Sequence, residues 1–325
     1  VTDIVGLIES TVRLEQPLRD GQATVGTGFM VTETATDGAP RTILITAHHV
    51  FAAMPHDEAR VGFRSRDASG NWRYDPISLR IRDAAGAPLW TRHPTQDVAA
   101  IELPPGVAPM ALPREDLGDA RVLETLRVRP GFEMMVLGYP IGAAANREGF
   151  PILRSGRVAS YPLSPATRYP TYLVDFNVFG GNSGGPVYAA DGRGPGRIVV
   201  TGLLTQQMEV EGERLAIGNV TQAGFIAETL TLLTGGPAVV EDASGEAPAA
   251  EVVAAATAPP LSSADRLRES WRAFNEELEI LLRRLWIVIR ESVMGWITPD
   301  PKPASPGPVQ SDRPGPPATR DAAAR

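Results

Sequence analysis

Seven residues, Gly180-Gly181-Asn182-Ser183-Gly184-Gly185-Pro186, set one hydroxyl inside a glycine-rich turn closed by a proline. Such a turn can push a serine outward and leave nearby backbone N–H groups free to bind an anion. Acyl transfer needs both: a nucleophile, and donors for the oxygen that becomes negative when a carbonyl is attacked. Glycine permits unusual dihedrals and removes side chains that would block a substrate. Taken alone, the run also fits an ordinary tight turn. A serine hydroxyl becomes a good nucleophile only when a base takes its proton, and imidazole is the usual base near neutral pH. The chain has four histidines, His48, His49, His56 and His93, all ahead of Ser183. They form no metal-binding spacing such as H-E-x-x-H, and there is no cysteine to add a ligand. Neither metal nor cofactor is expected.

The order of these groups along the chain sorts the hydrolase architectures. An α/β-hydrolase carries its histidine after the serine, which excludes it here. Asp37, His49 and Ser183 satisfy the subtilisin order on paper, but this region does not alternate helices with parallel strands. The order His, Asp, Ser is left. An apolar run over 43–47 ends in the pair His48-His49, and Thr95-Gln96-Asp97 opens another apolar run over 98–103. Asp57 and Asp83, in polar stretches, are weaker rivals for the acid.

Thr46-Ala47-His48-His49-Val50, Asp97-Val98-Ala99-Ala100 and Gly181-Asn182-Ser183-Gly184-Gly185-Pro186 together resemble the three motifs of trypsin-like serine proteases. Gly26-Thr27-Gly28-Phe29 is similar to the strand that precedes the histidine motif in that family. Gly138-Tyr139-Pro140-Ile141-Gly142, and Asp175 eight positions before the serine, resemble the bacterial Deg-type branch. The resemblance covers roughly residues 1–235. It implies His49 as base, Asp97 as the acid that orients it, and Ser183 as nucleophile. It further implies an oxyanion hole from the N–H groups of Gly181 and Ser183, and Thr205 as a hydroxyl that helps hold the acid. Asn177 and Gln207 are implied at the substrate pocket, and their neutrality argues for a small or medium uncharged side chain. Asn182 stands where zymogen-type relatives have aspartate, so no activation by charge pairing with a freed N-terminus is expected. The function implied is a serine endopeptidase acting on protein or peptide substrates. The alternative is a catalytically silent protease fold that acts as a binding or scaffold protein.

The elements that must position these groups read as short apolar or alternating runs, at 42–46, 98–103, 134–137, 171–176, 198–204 and 215–220, broken by Gly, Pro, Asp and Asn. Many short strands at this spacing predict a mainly β domain. The resemblance makes it two antiparallel six-stranded β-barrels with the active site in the cleft, the first over about 1–115 and the second over about 130–222. A closing helix is expected over 225–234. Residues 236–261 read as a linker. Residues 262–297 read as one amphipathic or coiled-coil helix, with Leu267, Trp271, Phe274, Leu278, Leu281, Leu285 and Val288 at four-three spacing. Residues 298–325 read as a disordered Pro-rich tail. Self-association or partner docking through the helix is expected ahead of membrane-surface contact, because Arg283, Arg284 and Arg290 interrupt its apolar run. No PDZ domain fits in this stretch.

Composition narrows the partners. Over 325 residues the formal charge is −7, which argues against nucleic acid. The Deg-type branch also does without disulfides, in line with the absence of cysteine. No signal-peptide core is visible from Val1 onward. The compartment stays open, with periplasm or cell envelope ahead of cytoplasm.

Overall fold

Strand pairing around one buried apolar ribbon organises the first half of the protein. The structure, a computed structural model, describes residues 3–18, 22–34, 38–107, 110–190, 197–210 and 213–235. All of them lie in the first of the two units into which the chain divides, Val1–Glu246. A helix, α1 (Ile4–Ser10), comes first, with the Asp3 carboxylate accepting the Gly6 N–H at its start. β1 (Thr11–Pro17) and β2 (Ala23–Thr34) pair antiparallel, and β3 (Pro40–Thr46) takes the other side of β2. Phe29, Met30, Val31, Ile43, Leu44 and Ile45 are fully buried, as befits strands covered on both faces. A single helical turn, α2 (His48–Ala52), follows β3.

Seven further strands complete this half: β4 (Glu58–Gly62), β5 (Arg64–Arg66), β6 (Trp72–Tyr74), β7 (Ile77–Arg80), β8 (Thr91–Arg92), β9 (Ala99–Glu102) and β10 (Leu112–Pro113). β5 and β6 form a separate hairpin. The others make an eight-stranded sheet in the order β7-β4-β1-β2-β3-β9-β8, with β10 parallel to β2. The ladder does not close among the described residues, so a six-stranded first barrel is not what forms. Its edges explain why. β8 is two residues long and leads into Pro94, which has no N–H to extend a ladder.

After a connection that includes α3 (Ala120–Thr125), the second half is the expected closed barrel of six strands. β11 (Glu133–Gly138), β12 (Ile152–Val158), β13 (Thr171–Asp175), β14 (Pro186–Ala190), β15 (Ile198–Val210) and β16 (Glu213–Gln222) pair in the order β11-β12-β13-β16-β15-β14. α4 (Ala223–Leu233) follows, and its Ala223, Ile226 and Leu230 are buried in an apolar cluster that joins the core of the first half to Val200 and Leu203 of this barrel. The sequence-based linker at 236–261, helix at 262–297 and tail at 298–325 lie outside the described residues. Among the described residues no helix is long and apolar enough to cross a membrane.

A buried guanidinium ties the two halves. Arg64 is 3% exposed and, among the described residues, has no carboxylate partner. Its Nη1 donates to the Tyr139 hydroxyl at 2.9 Å and the Gly149 carbonyl at 3.0 Å. Its Nη2 donates to the Glu9 carbonyl at 2.8 Å and the Thr11 carbonyl at 2.7 Å. The Glu9 carbonyl belongs to the last turn of α1, where a cation is favoured. With the Ile8 carbonyl at 3.4 Å from Nη2, the planar fork serves five oxygens at once, which an ammonium could not do. Arg64→Leu is therefore expected to lower stability by about 2–4 kcal/mol, with Arg64→Lys only a partial rescue. Urea denaturation measures this, and an unchanged midpoint for Arg64→Leu would contradict it.

Candidate active site

Ser183 lies in the turn that feeds β14, and the second barrel presents this turn to β2 of the first half. Thr27, fully buried on β2, holds the turn twice. Its N–H donates to the Ser183 carbonyl at 2.8 Å, and its hydroxyl donates to the Gly181 carbonyl at 2.7 Å. The Tyr139 N–H donates to that same hydroxyl at 3.1 Å, which leaves the Thr27 proton only one use. The other carbonyls of the turn are committed too. Gly180 accepts the Ile141 N–H at 2.6 Å, and Asn182 accepts the Gly185 N–H at 3.0 Å.

These anchors decide where the N–H groups point. In a trans peptide the N–H lies opposite the preceding C=O. Holding the Gly180 and Asn182 carbonyls therefore turns the Gly181 and Ser183 N–H groups the other way. Among the described residues neither has an acceptor, whereas the N–H groups of Asn182 and Gly184 are taken by Phe179 and Leu204. Gly181 and Gly184 have φ of 92° and 88°. A Cβ at Gly181 would run into the Tyr139 carbonyl, and one at Gly184 into the Thr27 carbonyl, so only glycine fits. Ile141, which holds the Gly180 carbonyl, has φ of 53°, an uncommon conformation for a β-branched residue, and is 80% exposed.

His49 and Asp97 come from the first half. β3 stops at Thr46, whose hydroxyl donates to the Thr27 carbonyl at 2.7 Å. The chain then turns into α2, which buries Val50 and Phe51 and leaves the His49 side chain about half exposed. Asp97 sits in the turn before β9. Its Oδ1 accepts the His49 backbone N–H at 2.9 Å, and its Oδ2 pairs with His49 Nδ1 at 2.6 Å. A proton on Nδ1 satisfies that bond and leaves Nε2 as the basic nitrogen. Burial pushes the Asp97 carboxyl up, but the imidazole hydrogen bond, the imidazole charge and the backbone N–H outweigh it. The net effect holds the carboxyl below its ordinary range.

His49, Asp97 and Ser183 line one cleft of about 450 Å³, together with Val178, Phe179 and Gly180 and the strand segment Thr205-Gln206-Gln207. The Ser183 hydroxyl donates to the Thr205 carbonyl at 3.1 Å and not to His49. The structure thus brings together His49, Asp97, Ser183, Gly181 and Gln207, but not every expected residue. Thr205 does not hold the acid: its hydroxyl donates to the Asn219 carbonyl at 3.1 Å, across to β16. Asn177 does not line the cleft. Phe176 and Val178 are buried and Asn177 between them is exposed. Val178 and Phe179 take its place on the wall. Thr27 and Gln206 are also absent from the sequence-based set. Thr27 was visible only as part of a Gly-x-Gly strand.

The remaining candidates find structural partners. His48 Nδ1 accepts the Trp90 indole N–H at 3.1 Å, and burial, then Arg92, keeps this imidazole below its ordinary value. Asn182 is 2% exposed beneath the turn. Among the described residues no group of three or more His, Asp or Glu is placed to hold a metal ion.

A family model of the trypsin-like peptidase domain matches residues 26–196. Among solved structures the chain is similar to an HtrA-type protease determined with a tripeptide, at 15% identity over 71% of this chain and 62% of that one, with a TM-score of 0.45. It is also similar to protease Anisep from Arthrobacter nicotinovorans, at 14% identity over 71% of this chain and 98% of that one, with a TM-score of 0.43. The chain thus spans less than two thirds of the HtrA-type structure. No curated protein matches it in sequence.

Two measurements test the geometry itself. Thr27→Val keeps the volume but strands the Gly181 carbonyl and the Tyr139 N–H, each of which loses its bond to the hydroxyl. Chemical denaturation is expected to show a loss of about 1–3 kcal/mol, and an unchanged value would contradict it. Asp97 has a lowered pKa in the fold, so its contribution to stability is present above the ordinary carboxylate pKa and is lost as pH falls through the folded value. The stability gap between wild type and Asp97→Asn is expected at neutral pH and should close as pH falls below about 4. A gap independent of pH down to strong acid would refute that account.

Proposed function

The chain belongs to the trypsin-like peptidase family, and on that footing we propose that it is a serine endopeptidase that works through His49, Asp97 and Ser183. One observation carries the reading: an imidazole bonded through Nδ1 to a carboxylate shares a cleft with a serine in a turn whose Gly181 and Ser183 N–H groups have no acceptor among the described residues. In the proposed reaction the Ser183 hydroxyl leaves the Thr205 carbonyl and gives its proton to His49 Nε2 as its oxygen attacks the peptide carbonyl. The carbonyl oxygen becomes negative and is held by the Gly181 and Ser183 N–H groups. His49 then hands the proton to the leaving amine as the C–N bond breaks, leaving an acyl-enzyme. Water then gives a proton to His49 as its oxygen adds to the acyl carbon, and His49 passes that proton to Ser183 Oγ as the acyl C–Oγ bond breaks, releasing the acid. Asp97 fixes the imidazole tautomer and stabilises its charged form, the role an acid has in the Ser-His-Asp triad of this family. Losing one oxyanion donor from such a site costs about 3–4 kcal/mol in the transition state.

Protein or peptide substrates follow from the family. The walls beyond the reacting groups, Val178, Phe179, Gln206 and Gln207, carry no charge. That supports a small or medium uncharged residue at the acyl side of the cleaved bond. A silent protease fold is the second reading, and the observation in its favour is the Ser183 hydroxyl bonded to Thr205. Catalytic hydrogen bonds often form only once substrate is bound, so this bond alone does not remove the activity.

A fluorophosphonate probe separates the two readings, since only an activated serine reacts quickly. Rapid labelling of the wild type, lost in Ser183→Ala along with peptide cleavage, is the expected result. No labelling of the wild type, or cleavage that survives Ser183→Ala, would overturn the assignment. A peptide-library profile should favour uncharged residues; a preference for Arg, Lys, Asp or Glu would contradict the reading of the walls.

A further inference from the structure

His93 is the buried histidine that the proposed mechanism does not use. It is 5% exposed, directly after β8, and begins the turn 93–98 that carries Asp97. That turn is closed along its main chain by the His93 N–H on the Val98 carbonyl and the Val98 N–H on the Gln96 carbonyl, both at 2.9 Å. The His93 ring fills it from inside. Nδ1 accepts the backbone N–H of Thr95 at 3.2 Å and of Gln96 at 3.0 Å. Two donors aimed at one nitrogen mean that this nitrogen carries no proton, so the ring proton is on Nε2. Nε2 lies 3.0 Å from Glu228 Oε2, and with the proton there it donates to that carboxylate. Phe225, one turn earlier on α4, meets the ring edge-on at 5.3 Å between centroids.

We propose that His93 is a positioning residue for the reaction: it indexes the turn that carries Asp97 to α4, through Nδ1 on the Thr95 and Gln96 N–H groups and Nε2 on Glu228. The inference rests on the reading of Asp97 as the acid that orients His49. It makes chemical sense because Asp97 must meet both the N–H and the Nδ1 of His49 at once. A turn held only by its own backbone would leave the carboxylate free to swing, and small misplacements of a catalytic group are costly. α4 suits the anchoring role because it follows the barrel that carries Ser183 and packs both on β15 of that barrel and on β8 and β9 of the half that carries His49. His48 offers the contrast. Its Nδ1 is spent on Trp90, away from the reacting groups.

Steady-state kinetics on one peptide substrate, with a melting curve for each variant, test this. His93→Asn sets an amide oxygen near the place of Nδ1 and keeps the cap on the turn while losing the arm to α4. His93→Gln reaches Glu228 and loses the cap. Glu228→Ala, at an exposed position, loses the same arm as His93→Asn and is the variant least at risk of misfolding. The expected kcat loss is about twofold to fivefold for His93→Asn and Glu228→Ala, and at least about tenfold for His93→Gln, with KM little changed in all three. The downfield proton resonance of His49 Nδ1–H should shift in His93→Gln and hold its place in His93→Asn. Wild-type kcat in Glu228→Ala, equal kcat in the two His93 variants, or losses that follow melting temperature alone would overturn the proposal. Asp97→Asn separates this failure from a failure of the wider reading. If Asp97→Asn is inactive while His93→Gln keeps wild-type kcat, only the positioning role falls. If Asp97→Asn is fully active, both fall.

Discussion

The grip of Thr27 on the glycine turn is the constraint from which the rest of the site follows. One buried residue on β2 donates through its N–H to the Ser183 carbonyl and through its hydroxyl to the Gly181 carbonyl. Each bond adds only about 0.5–1.5 kcal/mol to net stability. Their larger effect is to seat the turn on β2, where the Gly180 and Asn182 carbonyls, held by the Ile141 and Gly185 N–H groups, turn the Gly181 and Ser183 N–H groups the other way ahead of any substrate. Donors placed in advance cost no reorganisation when charge develops, which is why such arrangements dominate catalysis of acyl transfer.

The two halves are held in register around that contact by independent means. Arg64 of the first half bonds Tyr139 and Gly149 of the second, and the Tyr139 N–H closes on the Thr27 hydroxyl. At the other end α4 follows the closed barrel and buries Ile226 and Leu230 in the apolar cluster that joins the two halves. The first sheet is open among the described residues and the second barrel closed, so these side-chain ties and the Thr27 N–H bond to the Ser183 carbonyl together align His49 and Asp97 with Ser183.

What the sequence reveals and conceals divides along contact distance. Ser183, His49 and Asp97 are legible because each sits in a local pattern: a serine among glycines, a histidine at the end of an apolar strand, an acid at the mouth of another. Strands with strong apolar runs, such as β3, β9 and β15, are legible for the same reason. Thr27 is not, because its partners lie more than 100 positions away and a buried threonine on a strand is unremarkable. His93 is not, because its partner Glu228 is 135 positions later. Asn177 and Thr205 fail by orientation. Each lies in the right segment, but Asn177 is exposed between the buried Phe176 and Val178, and the Thr205 hydroxyl goes to the neighbouring strand while its carbonyl accepts from Ser183. Short edge strands with proline decide that the first sheet stays open, a property of edges that hydrophobic pattern does not record.

An attacked carbonyl oxygen is expected to settle between the Gly181 and Ser183 N–H groups once the serine turns from Thr205 to the substrate. A crystal structure of the protein inactivated by a peptidyl phosphonate reads this directly. The expected adduct has a bond from phosphorus to Ser183 Oγ, with a phosphonyl oxygen at about 2.7–3.1 Å from both nitrogens and His49 Nε2 within reach. An adduct on another residue, or one on Ser183 whose oxygen points away from both N–H groups, would contradict it.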